Sequence, residues 1–524
     1  MTGNMVARLS RRTFLGGLAA VGISGGVLGG CRAASSGRVA PSDVDGPVFT
    51  LGVASGDPRG DGIVLWTRLA PDPLDPAGAG MPGDADADVA WEVATDDRFA
   101  TVVASGTARA PAAAGHSVHV SVDGLERGVD HHYRFGFGDE TSATGRFRLS
   151  SLAPGRARVV VATCQGIEWG HHAAWRDAAG IDPDLIIFLG DYIYEYPPDT
   201  VIGSSAAATP HVGGEARDLP SYRQRYAQYH LSPGLQAAHA AAAWALTWDD
   251  HEVTNNYTGA AHGDVDPVAW EQRRFDAARA LWENAPMRGP APTGADTPRY
   301  GTVDMGDLVR LHVLETRQFA SPVPCRGSGA GDRGPLCDGA DNDDHTMLGN
   351  EQQAWLDASL ESSHARWDLV ASPTQVAGSA THPISPTNEP WVYRDAWDGY
   401  PQSRRRLVDS LGAVDNPFVV SGDYHCGIVA NVHPDPWAPR DGERTVPEFT
   451  TPAISSSPFD VDLDRNPHVA WKDTTNGHVV LEVDTDAVEA TFRTVDDVAD
   501  AGSTARIASR WRMAPGRNHL ERLA

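Results

Sequence analysis

The sequence predicts two architectures in series. An all-β, immunoglobulin/fibronectin-like sandwich covers residues 46–150, and an α/β domain follows over 156–500. Three observations predict this. The first region holds around seven short runs, alternating or β-branched, with turn residues between them and no clear amphipathic helix. The second alternates strand-like with helix-like segments. Between them, "SLAPGRA" punctuates the chain with Pro154 and Gly155.

Each element follows in order. Residues 1–31 carry Ser10-Arg11-Arg12-Thr13-Phe14-Leu15, then a Gly/Ala/Leu/Val run too short and too small in side chain for a stable membrane span. The stretch resembles a twin-arginine export signal, an address read by machinery that exports folded proteins. The run ends at Leu28-Gly29-Gly30-Cys31, which resembles a lipobox with an unusual Gly29. Cys31 is thus a candidate lipid-bearing residue and membrane attachment point, with simple cleavage nearby as the alternative. Residues 32–45 are small and polar, a linker. "DGIVLWTRL", "DVAWEVATD", "HSVHVSVDGL", "DHHYRFGFGD" and "TGRFRL" are the sandwich strands. Past residue 156, "RVVVATC", "DLIIFLGD" and "AAWALTWDDHE" read as strands or their ends, and "SYRQRYAQYH" and "DPVAWEQRRFDAARALWEN" as helices. The alternation continues to "NPFVVSGDYHCG", and "HVVLEVD" with "AVEATFRTV" reads as a hairpin that extends a sheet. The tail 501–524 is basic, either a solvated helix or a lid over an anionic ligand.

Composition narrows the function. A chain of 524 residues with 41% hydrophobic residues can bury substantial cores. Its formal charge of -26 lacks the basic footprint of a nucleic-acid binder. An acidic enzyme can still bind phosphate, because bound cations reverse the sign locally. Cys325 and Cys337 bracket a Gly/Pro/Asp loop, and in an oxidising compartment a disulfide there would contribute on the order of 3 kcal/mol.

In open α/β sheets, ligands bind beyond the carboxyl ends of strands. Here those ends hold Cys164, Asp191 with Tyr194, Asp250 with His251, and Asp423 with His425. An Asp closing one strand is commonly a helix cap, and one His is commonly structural. Four such ends together offer oxygen, nitrogen and sulfur donors suited to more than one metal.

The segments "GDYIYEY", "WDDHEVTNN" and "SGDYHCG", with "ATCQ" opening the domain, resemble the metallophosphatase superfamily, and in detail PhoD-like alkaline phosphatase/phosphodiesterases. The resemblance implies a catalytic sandwich of two mixed β-sheets flanked by helices, and a site for Fe3+ and Ca2+. It implies that Asp191 bridges the metals, that Tyr194 binds iron as phenolate beside Cys164 and His425, and that Asp423 serves calcium. Asp250 stands where many relatives in the superfamily have Asn, which leaves Asp250, Asn255 or Asn256 as the metal contact. The implied chemistry is hydrolysis of a phosphoester substrate by a metal-bound hydroxide, with His251 as general acid. Arg317 either pairs with a phosphate oxygen or makes a structural ion pair. The substrate is open among monoesters, diesters, teichoic acids and phospholipids, the last a phospholipase D-like alternative. The enzyme is expected to act as a monomer.

Other classes fare less well. The only Gly-x-Ser-x-Gly lies at Gly22–Gly26, inside the export signal, so it is no mature nucleophile elbow. His251-Glu252 lacks the second His of a zincin, with Asn255 in its place. A lipid-anchored surface binding module explains 46–150 but not the donor-bearing strand ends.

Overall fold

Strands covered on both faces carry unbroken apolar runs. In Ala157–Ala162, Val159 and Val161 enter one core while Val160 and Ala162 enter another. Leu185–Phe188 repeats this, with Leu185 and Ile187 on one side and Ile186 and Phe188 on the other. In Pro417–Gly422, Phe418 and Val420 share the first core, while Val419 joins a third cluster. A period of two thus sorts each strand between a common inner core and an outer, helix-covered face.

The computed structural model describes residues 37–77, 79–150, 155–200, 208–259, 265–325, 333–381, 390–440, 442–516 and 520–524. Among them, one mixed sheet has ten strands and another seven. The first is centred on four parallel neighbours, Ala157–Ala162, Leu185–Phe188, Ala243–Leu246 and Val53–Arg59. The second is centred on Val309–Val313, Trp367–Thr374, Pro417–Gly422 and Val446–Thr450, again parallel. Helices Ala173–Gly180, Leu219–His230, Pro233–Ala241 and Pro267–Glu283 cover the first sheet with Trp175, Tyr226, Leu235 and Trp270. Gly349–Glu361 and Pro401–Ser410 cover the second with Leu356 and Leu407. The expected hairpin Gly477–Val483/Val488–Val495 pairs onto Ala157–Ala162.

The N-terminal strands divide. Val102–Ala110, Ala87–Ala94, Asp130–Phe137, Glu140–Thr141 and Gly145–Arg148 form their own sheet. Val53–Arg59, Gly62–Arg68 and Ser117–Val122 instead continue the ten-stranded sheet. Val89, Tyr133 and Phe147 accordingly share a core with Val159. Val102–Ala110 escapes a sequence reading because it is mostly exposed and lacks apolar alternation.

The basic tail corrects the expectation of a helix or a lid. Ala505–Met513 and Leu520–Arg522 form the sheet edge beyond Val488–Val495. Ser509, Trp511 and Met513 are buried and alternate with Arg510 and Arg512, so the charges are the outer face of a strand. Cys325 and Cys337 form the expected disulfide, and Cys164 and Cys426 are free and buried. The export signal and Cys31 lie outside the described residues.

Fully buried histidines make the fold acid-sensitive. Burial pushes His172 and His230 down to about 4, against about 6.5 in an unfolded chain. The unfolded chain therefore takes up protons that the native protein refuses. Stability present above pH 6.5 is lost as pH falls towards 4, by on the order of 3 kcal/mol for each histidine. The urea midpoint should fall between pH 7.5 and 4.5, and fall less in the His172→Gln/His230→Gln double variant. An unchanged wild-type midpoint would contradict this.

Candidate metal centre

Parallel strands deliver their carboxyl ends to one side of a sheet. Here the two sheets also meet at those ends. Thr163 bridges to Ala453, Ile454 N–H donates to Thr163 O at 2.9 Å, and Thr451 Oγ1 donates to Val161 O at 2.9 Å. The loops carrying Cys164, Asp191, Asp249–Glu252, Asp423–His425 and Ser455–Ser457 converge as a result.

The exit from each strand is sharp. Cys164, Asp191, Asp423 and His425 have φ of 55°, 58°, 65° and 59°, a left-handed conformation that costs an L-residue about 1–2 kcal/mol. Gly190 precedes Asp191 because a Cβ there would lie 2.4 Å from Asp249 N. Glu252 then staples the two loops. Its carboxylate accepts the N–H groups of Asp191 (3.1 Å), Tyr192 (2.6 Å) and Asp249 (2.9 Å).

Two donor sets share Asp191. In the first, Asp191 Oδ2 accepts from Tyr194 Oη at 3.0 Å and Cys164 Sγ at 3.4 Å, and lies 3.9 Å from His425 Nε2. His425 Nδ1 sits 2.7 Å from Ser457 O, which fixes a proton on Nδ1 and turns Nε2 towards the cluster. Ser456 Oγ donates to Tyr194 Oη at 2.8 Å. The second set joins Asp191 to Asp250 and His251, and Asp250 is grouped in turn with Asp249 and Asp423. Asp250 Oδ1 is buried without a hydrogen-bond partner, and its nearest cation, Arg317 Nη2, is 3.6 Å away.

The electrostatics are those of a site short of positive charge. Burial, then the Asp191 charge, pushes both the Cys164 thiol and the Tyr194 phenol well up. Asp423 is pushed up to about 8 by burial, against the pull of Arg317 and with the push of Asp395, Asp250 and Asp191. Burial would raise Asp191 too, but the imidazoles of His251 and His425 and the Tyr194 hydroxyl hold it well below the usual carboxylate range. Burial disfavours the His251 imidazolium, yet Asp250, Glu195 and Asp191 hold it well above its usual range. A thiol, a phenol and several carboxylates forced towards their neutral forms are what a multivalent cation would reverse. The donor chemistry therefore fits bound metal: a sulfur, phenol and imidazole set beside an oxygen set.

The structure brings together Cys164, Asp191, Tyr194, Asp250, His251, Asp423 and His425, and it sets Asn255 apart and Arg317 among carboxylates. Asn255 stands apart from both donor sets. The turn closed by Val253 N–H and Thr254 N–H on Asp250 O leaves it exposed, and its Oδ1 accepts from Tyr196 Oη at 3.0 Å. Arg317 makes the structural ion pair that the sequence left as one alternative. It is fully buried, forked onto both oxygens of Asp249 and bonded to Asp395 at 2.9 Å. Sequence reasoning left Glu195 unassigned, although it binds His251 Nδ1 at 2.7 Å. It lies four residues past Asp191 in "GDYIYEY", but its partner His251 is 56 positions away. Ser456 carried no motif at all.

A sequence model for PhoD-like phosphatases matches residues 159–492, and one for the N-terminal domain of PhoD-like phosphatases matches 33–151. Alkaline phosphatase D of Bacillus subtilis (strain 168) is 37% identical over 475 residues, covering 87% of this chain and 79% of the relative. A solved structure of PhoD superposes with a TM-score of 0.85 at 34% identity, covering 92% of this chain and 93% of that one. Purple acid phosphatase PPD1 from yellow lupin (Lupinus luteus) seeds shares the fold, with a TM-score of 0.55 at 11% identity over 88% of this chain and 74% of its own.

Removing the buried guanidinium strands the carboxylates it pairs. Arg317→Met should cost about 3–5 kcal/mol of stability by urea unfolding, and Arg317→Lys less. Wild-type stability with only a raised KM would instead assign the guanidinium to substrate.

Proposed function

Because the chain belongs to the PhoD-like phosphatase family and is a hydrolase of that kind, we propose that it is an exported phosphomonoesterase/phosphodiesterase working through a mixed-metal centre. Cys164, Asp191, Tyr194 and His425 would hold Fe3+, and Asp191, Asp250 and Asp423 would hold Ca2+. The observation that carries the reading is the orphaned, buried Asp250 Oδ1 next to an Asp191 carboxylate shared by two unlike donor sets. When bound, the metals would supply Lewis acidity, lowering the pKa of the attacking water and neutralising charge on the phosphoryl oxygens.

The protein's own groups do the rest. Glu195 holds His251 Nδ1–H, leaving Nε2 to bring a proton to the leaving oxygen. The charges of Asp250, Glu195 and Asp191 favour the protonated ring, as a general acid requires. Arg317 forks onto Asp249 and holds it in place, against the burial and the Asp250 and Asp423 charges that push its carboxyl well up. The buried loops exclude bulk water from one side of the reacting phosphorus.

Ser10–Leu15 and Cys31 are read as an export signal and a lipid attachment point. Among the described residues, no helix is long and apolar enough to cross a membrane. A phospholipase D-like action on lipids is the second reading, resting on that proposed membrane attachment alone. A Ser–His–Asp alignment does occur, with Ser359 Oγ 3.0 Å from His312 Nδ1 and His312 Nε2 2.9 Å from Asp368. All three are buried where helix Gly349–Glu361 packs on strands Val309–Val313 and Trp367–Thr374, and they fasten the helix.

Chelation should abolish hydrolysis of a monoester, a diester and phosphatidylcholine alike, and metal readdition should restore wild type but not Asp191→Ala. His251→Gln should lower kcat by about 10²–10⁴-fold. Full activity in chelated protein and in Asp191→Ala would sink the metal-centre reading, and the relative rates on the three esters rank the substrate readings.

A further inference from the structure

Helix Leu219–His230 presents an odd face to the site. It begins under Asp218, whose side chain accepts Ser221 N–H at 3.0 Å, with Pro220 in the first turn. Tyr222, Arg225, Tyr226 and Tyr229 follow at i, i+3, i+4 and i+7, so they share one side of the helix, and all are buried. Leucines would cover a sheet more cheaply. Three of them, Tyr222, Arg225 and Tyr229, instead spend their polar ends on loop backbone, while Tyr226 Oη is buried without a hydrogen-bond partner.

Arg225 Nη1 donates to Tyr194 O and, at 2.8 Å, to Tyr196 O, while Nη2 donates to Gly214 O at 2.9 Å. Its guanidinium is desolvated, and Glu168 and Glu195 act on it through space rather than by hydrogen bonds. Tyr229 Oη accepts Tyr194 N–H at 3.2 Å. The Tyr229 proton goes to His211 Nε2 at 3.1 Å, and His211 Nδ1–H goes to Tyr196 O at 3.0 Å, one consistent tautomer. Both sides of the Tyr194 residue are thereby gripped, its N–H by one helix residue and its C=O by another. Three residues earlier on the same face, Tyr222 Oη donates to Val253 O at 2.6 Å, in the loop that carries Asp250 and His251.

We propose that Tyr222, Arg225 and Tyr229 are positioning residues: a rigid helix gauges the separation between Tyr194 and the Asp250/His251 loop. The proposal rests on the reading of Tyr194 as an iron ligand. A phenylalanine fills the space of a tyrosine, so packing does not account for the hydroxyls. A buried guanidinium that binds main-chain carbonyls is costly unless their placement matters. The gauge works because a helix does not stretch: Tyr222 and Tyr229 stand seven residues apart, about 10 Å along the axis.

The test uses iron-loaded full-length protein and three variants, Tyr229→Phe, Arg225→Lys and Tyr222→Phe. The readouts are the visible phenolate-to-iron band, kcat and KM on one diester, and thermal unfolding. Tyr229→Phe and Arg225→Lys should shift or weaken the band and lower kcat about tenfold with KM little changed. Tyr222→Phe should lower kcat and leave the band in place, because it loosens the other loop. Wild-type band and kcat in Tyr229→Phe and Arg225→Lys would overturn the proposal. So would a Tyr222→Phe band altered as much as that of Tyr229→Phe, since general loosening moves all three alike. Should Arg225→Lys not fold, Tyr229→Phe, which loses one oxygen, decides alone. An iron-replete wild type without the band would instead overturn the assignment of Tyr194 beneath the proposal.

Discussion

A single buried carboxylate, that of Asp191, is the point on which the site turns. It accepts from Tyr194 and Cys164, lies near His425, and takes the His251 N–H at 3.3 Å on its other oxygen. Its backbone is left-handed, its N–H is held by Glu252, and the residue before it must be glycine. Strain of this kind persists only where surroundings over-determine it. Here they do: a parallel strand ends beneath it, and helix Leu219–His230 fastens the loop that follows.

Charge explains much of the remaining architecture. Asp249, Asp250, Asp395 and Asp423 crowd around one buried guanidinium, and a carboxylate in such company is costly to ionise. Arg317 offsets part of that cost and aligns the group. The orphaned Asp250 oxygen and the raised Asp423 mark the part it leaves uncompensated. A fold held by two stacked sheets can carry this local cost because the inner core runs from the N-terminal strands through both sheets.

The fold was readable where one physical signal dominated. Strands buried on both faces declare themselves by apolar runs such as "DLIIFLGD", and helices by their period. Val102–Ala110 and the basic tail were not readable, because one is exposed and the other alternates arginine with buried residues in a pattern that charge obscures. Seven residues that the structure brings together were named from their places at strand ends. Asn255 lies apart from them because one tight turn decides which way a side chain faces. Arg317 was left between two roles because residue type does not reveal partners that lie 68 and 78 positions away. Glu195 and Ser456 needed the tertiary structure for the same reason.

A mixed-metal centre depends on the two donor sets and the ions each would take. Anomalous diffraction at the iron edge, from crystals of protein purified without added metal, tests it most directly. A mixed-metal centre should give a peak bounded by Cys164 Sγ, Asp191 Oδ2, Tyr194 Oη and His425 Nε2, and none at iron energy between Asp250 and Asp423. An iron peak at the oxygen set alone, or no metal at either set in active protein, would contradict it.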